Sequence, residues 1–162
     1  MHMQDIEIQV NGRPMRTAVA VDETLVDVLR HKLGIVEVKN GCGQGDCGAC
    51  TVLLDGEAVN SCLTLAVQAD GRQVTTTRGL GTLEDPHPLQ TAFIEHGAVQ
   101  CGFCSSGMIL AAASLLQQNA APTREEIREG ISGNLCRCTG YTKIVDAIDE
   151  VAHADVIEER SA

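Results

Sequence analysis

A chain of 162 residues in which 44% of side chains are apolar is long enough for one or two compact domains with a buried core. A formal net charge of −10, with one Tyr, two Phe and no Trp, excludes a nucleic-acid binder of the usual kind, because the surface repels phosphate and offers few rings for bases to stack on. The acidic surface suits either a basic patch on a protein partner or plain solubility.

The N-terminus, Met1-His2-Met3-Gln4-Asp5, has no basic region followed by an apolar run, so no secretory signal is read there and a cytoplasmic location is expected. Eight cysteines in a reducing compartment are metal ligands more readily than crosslinks. Ile6, Ile8 and Val10 alternate with polar residues, Asn11-Gly12 supplies a turn, and a second extended segment runs through 18–21, which together predict a β-hairpin. Asp22 is placed to cap a helix whose apolar face is Leu25, Val26, Val28, Leu29 and Leu33, with Gly34 ending it.

Then comes Gly41-Cys42-Gly43-Gln44-Gly45-Asp46-Cys47-Gly48-Ala49-Cys50, with Cys62 further on. The C-x4-C-x2-C spacing with a distant fourth cysteine is the ligand pattern of a plant-type [2Fe–2S] cluster. The interleaved glycines let the backbone take unusual dihedrals and bring N–H groups close to the sulfurs, where they stabilise negative charge. Gly43-x-Gly45-x-x-Gly48 also matches a dinucleotide fingerprint, but that fingerprint must open a helix, and Thr51-Val52-Leu53-Leu54 reads as a strand. A structural zinc site usually uses paired C-x2-4-C knuckles, which this loop lacks.

Thr51–Leu54 and the pair Ala58-Val59 flank the turn Asp55-Gly56-Glu57, and 74–77 offers a last strand. Hairpin, helix, cysteine loop and short strands make a small α+β domain over residues 1–79, in which a metal staple adds stability that the core alone would lack. Residues 80–85 read as a linker within the Gly- and Pro-rich stretch 79–88.

The second half, 86–155, is helical. One helix is expected over 89–96, stopped by Gly97, and another over Ser105–Gln118, apolar on nearly every side and so suited to the inside of a bundle. The apolar run 108–113 with Leu115-Leu116 is far too short to span a bilayer. Thr123-Arg124-Glu125-Glu126 is a capping box opening a third helix that ends near Gly133, and a fourth covers 142 to about 154. Residues 156–162 are a polar tail. Cys101-x2-Cys104 and Cys136-x-Cys138 sit at helix ends, where a bundle can bring them together. Taken alone these four suit zinc or iron–sulfur equally well. Counted with the first half, eight thiols form two complete sets of four, and the scattered His2, His31, His87, His96 and His153 are not needed as ligands. No general acid–base pair stands out.

The Cys42 loop, then Gln100-Cys101-Gly102-Phe103-Cys104, then Gly133-Asn134-Leu135-Cys136-Arg137-Cys138-Thr139-Gly140-Tyr141, resemble the small iron–sulfur subunit of the xanthine oxidase family of molybdenum hydroxylases. The similarity runs over about residues 4–155. It implies an N-terminal β-grasp ferredoxin fold with one [2Fe–2S] cluster on Cys42, Cys47, Cys50 and Cys62. A C-terminal four-helix bundle would carry the other on Cys101, Cys104, Cys136 and Cys138. It further implies a large molybdopterin-binding subunit, with the cofactor in its cytosine dinucleotide form, and a medium FAD-binding subunit. The assembly would be a heterotrimer that can double to a dimer of heterotrimers. Gln100 and Cys138 would approach the pterin, although Gln100 by itself reads as a polar residue flanking a helix. Ser105-Ser106 departs from the Thr-Pro of many relatives, which predicts a local change at the helix entry with the ligands unaffected.

On this resemblance the chain is an electron-transfer subunit of an oxidoreductase. It would pass electrons from molybdenum to FAD during hydroxylation of an N-heteroaromatic, purine or aldehyde substrate, without catalytic residues, nucleic acid or membrane insertion of its own. The small subunit of an aerobic CO dehydrogenase or of an aromatic acyl-CoA reductase is the alternative within the family. A free-standing two-cluster ferredoxin, which would elute alone on gel filtration, and an iron–sulfur redox sensor, silent towards substrate, are the alternatives outside it.

Overall fold

In the computed structural model, which describes residues 3–154, the expected hairpin is formed by β1 (Met3–Val10) and β2 (Arg13–Ala20), antiparallel with Ile8 opposite Met15. Asn11 and Gly12 both take positive φ, 51° and 77°, the pair a type I′ turn requires. β3 (Thr51–Leu54) is buried along its whole length and pairs antiparallel with both β4 (Glu57–Asn60) and β5 (Gln73–Thr75). β5 runs parallel to β1, so the described strands form one sheet in the order β2-β1-β5-β3-β4.

The helix on this sheet starts later than Asp22. Leu25 N–H donates to Thr64 O and Ala66 N–H to Glu23 O, holding residues 23–25 extended against 64–66. Thr24 is therefore the cap of α1 (Leu25–Asp27), its hydroxyl accepting from Asp27 N–H. A π-helical turn, Val28–Lys32, continues it, with Leu33 N–H donating five residues back to Val28 O. The predicted face is the buried one: Leu25, Val26 and Leu29 pack with Ile8, Val10, Val52, Leu54 and Val74, and Val28 with Ile6 and Val19.

The last strand stops at Thr75 instead of reaching 77. The Asn11 carboxamide accepts Thr76 N–H at 2.8 Å and donates to Thr76 Oγ1 at 2.9 Å, turning the chain into the short α2 (Thr77–Leu80). Four longer helices follow. α3 (Pro88–Glu95) is capped by His87, whose ring accepts Leu89 N–H. α4 (Ser105–Gln118) has the predicted bounds and buries every residue from Gly107 to Ser114, as a helix apolar all round must. α5 (Arg124–Gly130) opens on the predicted Thr123–Glu126 capping box. It ends three residues before Gly133, where Ile131 turns into the core. α6 (Thr142–Ala152) stops slightly short of 154 and buries Ile144, Val145, Ala147 and Ile148.

These helices share a second core of Leu89, Phe93, Met108, Ile109, Ile127, Ile131, Ile144 and Ile148, with Leu80 of α2 packed against it. No helix among the described residues is long and apolar enough to cross a membrane. The polar tail expected at 156–162 lies outside the described residues.

Candidate metal centres

The first cysteine loop runs between the π-helical turn after α1 and β3 as a wrap of bends in which Gly43, Gly45 and Gly48 all have positive φ. Its sulfurs fall into an outer pair and an inner one. Cys42 and Cys47 are half-buried with their thiols against each other, while Cys50 and Cys62 are buried and likewise paired. Cys42 and Cys62 have opposite electrostatics. The N–H groups of Gln44, Cys47 and Asp46 point at Cys42 Sγ and lower its pKa to about 6. Burial, reinforced by the neighbouring Cys50, pushes Cys62 up to about 11.

The second set is assembled from two places: the turn before α4, where Cys104 is the residue preceding the first helical turn, and the loop between α5 and α6. Here too there are two pairs. Cys104 lies against Cys136, both half-buried, and Cys101 against Cys138, both exposed. Burial and the Cys136 thiol push Cys104 up to about 12, and the Cys101 thiol raises Cys138. At Cys136 burial acts upward but is outweighed by the Thr139 hydroxyl and by the N–H groups of Thr139 and Cys138, which leave it below its ordinary value.

Two sets of four thiols, each split into two pairs with N–H and O–H donors aimed at the sulfurs, fit a centre with two metal ions and two protein ligands on each. The residues therefore suit a [2Fe–2S] cluster in each half.

The two cysteine loops touch. Leu135 N–H donates to Cys47 O at 2.9 Å, joining a residue of the first set to the neighbour of Cys136 in the second. The buried Asn134 carboxamide donates to Gly48 O at 2.9 Å and to Thr51 Oγ1 at 3.3 Å. Gly107 on α4 is pressed so close that a methyl group there would stand 2.2 Å from Gly48 O. Phe103 reaches back from the second loop to lie against Gly41, one residue from Cys42. At the helix entry where Thr-Pro was expected to differ, Ser106 Oγ donates to Glu37 O at 2.8 Å, a bond proline cannot make.

Contacts between thiols run within each predicted set: Cys42 with Cys47 and Cys50 with Cys62, Cys101 with Cys138 and Cys104 with Cys136. Gln100 is exposed beside the exposed Cys101, at the same end of the helical half as Cys138. Asn134, Leu135, Thr139 and Tyr141 carry roles that sequence reasoning missed, since they stood there only as letters of a motif. Asn134 offered one signal, a polar residue followed by two cysteine ligands and yet buried to 95% by packing 86 residues away in sequence.

Residues 8–77 match a 2Fe-2S iron-sulfur cluster binding domain and residues 76–149 a [2Fe-2S] binding domain. The nicotine 6-hydroxylase small subunit of Paenarthrobacter nicotinovorans is 52% identical over 146 residues, covering 89% of this chain and 87% of its own. The aldehyde oxidoreductase of Megalodesulfovibrio gigas is 49% identical over 90% of this chain, which corresponds to only 16% of that longer polypeptide. The crystal structure of quinoline 2-oxidoreductase from Pseudomonas putida 86 contains a chain that superposes with a TM-score of 0.89 at 46% identity, over 99% of each. With both domain matches in order along one chain and relatives aligned over nearly their full length, the chain belongs to the small iron–sulfur, electron-transfer subunits of the xanthine oxidase family of molybdenum hydroxylases.

Proposed function

We propose that this chain relays electrons within a three-subunit hydroxylase, from a molybdopterin centre on a large subunit to FAD on a medium one, using clusters held by Cys42, Cys47, Cys50 and Cys62 and by Cys101, Cys104, Cys136 and Cys138. When bound, a [2Fe–2S] cluster supplies one-electron chemistry, which suits a relay between two-electron centres.

The observation that carries this reading is the hydrogen bond from Leu135 N–H to Cys47 O. It gives the two thiol sets a short connection through the chain's own atoms: the Cys47 side chain and carbonyl, the bond, then the Leu135-Cys136 backbone and the Cys136 side chain. The exposed Cys101–Cys138 pair is assigned to the molybdopterin side, with Gln100 and Cys138 meeting the pterin, in its cytosine dinucleotide form. Beside the seam between the two loops Phe103 and Leu135 expose apolar side chains, 47% and 56% accessible, which a partner surface would cover. The first loop is assigned to the flavin side. Its residues hold the sulfurs, direct N–H groups at Cys42, and keep water from Cys50 and Cys62 by burial.

Two relatives are named for nicotine and quinoline, both N-heteroaromatic rings, and that substrate class is assigned first; an aldehyde is second, on the third relative. The partners form a heterotrimer in the cytoplasm. The test is Cys138→Ser in the purified complex. It removes a ligand of the exposed Cys101–Cys138 pair, so substrate no longer reduces the flavin, while the EPR signal of the first cluster persists at about wild-type intensity. Loss of both clusters together, or unimpaired flavin reduction, would overturn the assignment.

A further inference from the structure

Cys136 Sγ has a donor unlike those around Cys42. Thr139 Oγ1 lies 3.2 Å from it and Thr139 N 3.5 Å. The Thr139 oxygen itself accepts from Tyr141 N–H at 3.2 Å. With that side of the oxygen occupied, its single proton is directed at the sulfur.

Tyr141 is fixed from both ends. Its backbone is left-handed, φ 69°, a conformation bulky residues rarely adopt and one that costs free energy unless the surroundings hold it. Its phenol accepts Cys136 N–H at 2.9 Å and donates to Asn134 O at 3.2 Å, beside the buried Asn134 side chain. A closed ring results: Cys136 N–H to the Tyr141 oxygen, Tyr141 N–H to the Thr139 oxygen, Thr139 O–H to Cys136 Sγ. The strained residue is what orients the hydroxyl. At Cys42, by contrast, the donors are the backbone N–H groups of Gln44, Cys47 and Asp46, which no side-chain substitution removes.

We propose that Thr139 is a positioning residue whose hydroxyl, oriented by Tyr141, raises the reduction potential of the second cluster alone. The sign follows from charge. A donor to a ligand sulfur stabilises negative charge, and the reduced cluster carries one more negative charge than the oxidised one, so the bond favours reduction. The inference rests on the assignment of that cluster to Cys101, Cys104, Cys136 and Cys138.

The experiment is a potentiometric EPR titration of the assembled complex, wild type against Thr139→Val and Thr139→Ser, with iron and acid-labile sulfide measured on each. In Thr139→Val the midpoint of the second cluster moves down while that of the first stays in place, and Thr139→Ser restores the wild-type value. Pulsed electron–nuclear spectroscopy of the reduced second cluster in wild type shows an exchangeable proton that Thr139→Val lacks. Unchanged midpoints in a fully loaded Thr139→Val, or equal shifts in both clusters, overturn the proposal. If Thr139→Val and Thr139→Ala fail to load the second cluster while Thr139→Ser loads it, the hydroxyl serves assembly and the tuning claim is wrong. A wild-type complex without a second cluster would instead sink the ligand assignment itself, and the iron content separates the two failures.

Discussion

Cys42 and Cys104 are both ligand candidates, yet the folded chain treats their thiols in opposite ways. Three backbone N–H groups lower Cys42 to about 6, so at pH 7 it stands above its pKa and is mostly thiolate. Burial raises Cys104 to about 12, and at pH 7 it keeps its proton. In the metal-free chain, a brief exposure to iodoacetamide at pH 7 is therefore expected to label Cys42 well before Cys104, as peptide mass mapping would show. Equal labelling would mean that the N–H groups do not converge on Cys42 before metal binds. Cluster loading must then displace protons chiefly from the thiols whose pKa is raised, Cys62, Cys104 and Cys138, and so proceeds faster as pH rises.

The contact between the two loops is made by small and polar residues. Gly48 has φ 66°, and a methyl group on it would stand 2.4 Å from Gly133 O and 2.5 Å from Asn134 Nδ2, both across the seam. Gly48→Ala is expected to cost about 2–4 kcal/mol, combining the positive-φ strain with that clash. Asn134→Ala removes one donor from Gly48 O, which keeps the Thr51 N–H and hydroxyl, and is expected to cost about 1 kcal/mol. Thermal unfolding of the metal-loaded chain would check both, and both variants should weaken the magnetic interaction between the clusters if the seam sets their spacing. Much of the architecture here was legible beforehand. Apolar periodicity placed α4 to the residue, because a fully apolar segment can go nowhere but the core, and Thr123 with Glu126 marked the start of α5. The errors arose where distant atoms decide local structure: Thr64 and Ala66 fix the start of α1, and Asn11 ends β5. The cysteine motifs themselves were legible because their spacing is local. The Asn134–Gly48 and Leu135–Cys47 bonds were not, since no local pattern announces a partner more than eighty residues away.

Across the whole chain, two separate cores hold two thiol sets, and the sets meet at the seam between them. One set opens outward through Cys101 and Cys138, while the other has its inner pair, Cys50 and Cys62, under the protein surface. That arrangement suits a relay with one end against a partner. Eight thiols on one chain provide for two [2Fe–2S] clusters, and this is the claim on which the relay depends. It is tested most directly by iron and acid-labile sulfide analysis of the native complex, followed by EPR after anaerobic reduction. The account predicts about four iron and four sulfide per copy of this chain, in two distinguishable [2Fe–2S] signals. Stoichiometric zinc, or a single signal with about two iron in a fully loaded sample, would contradict it.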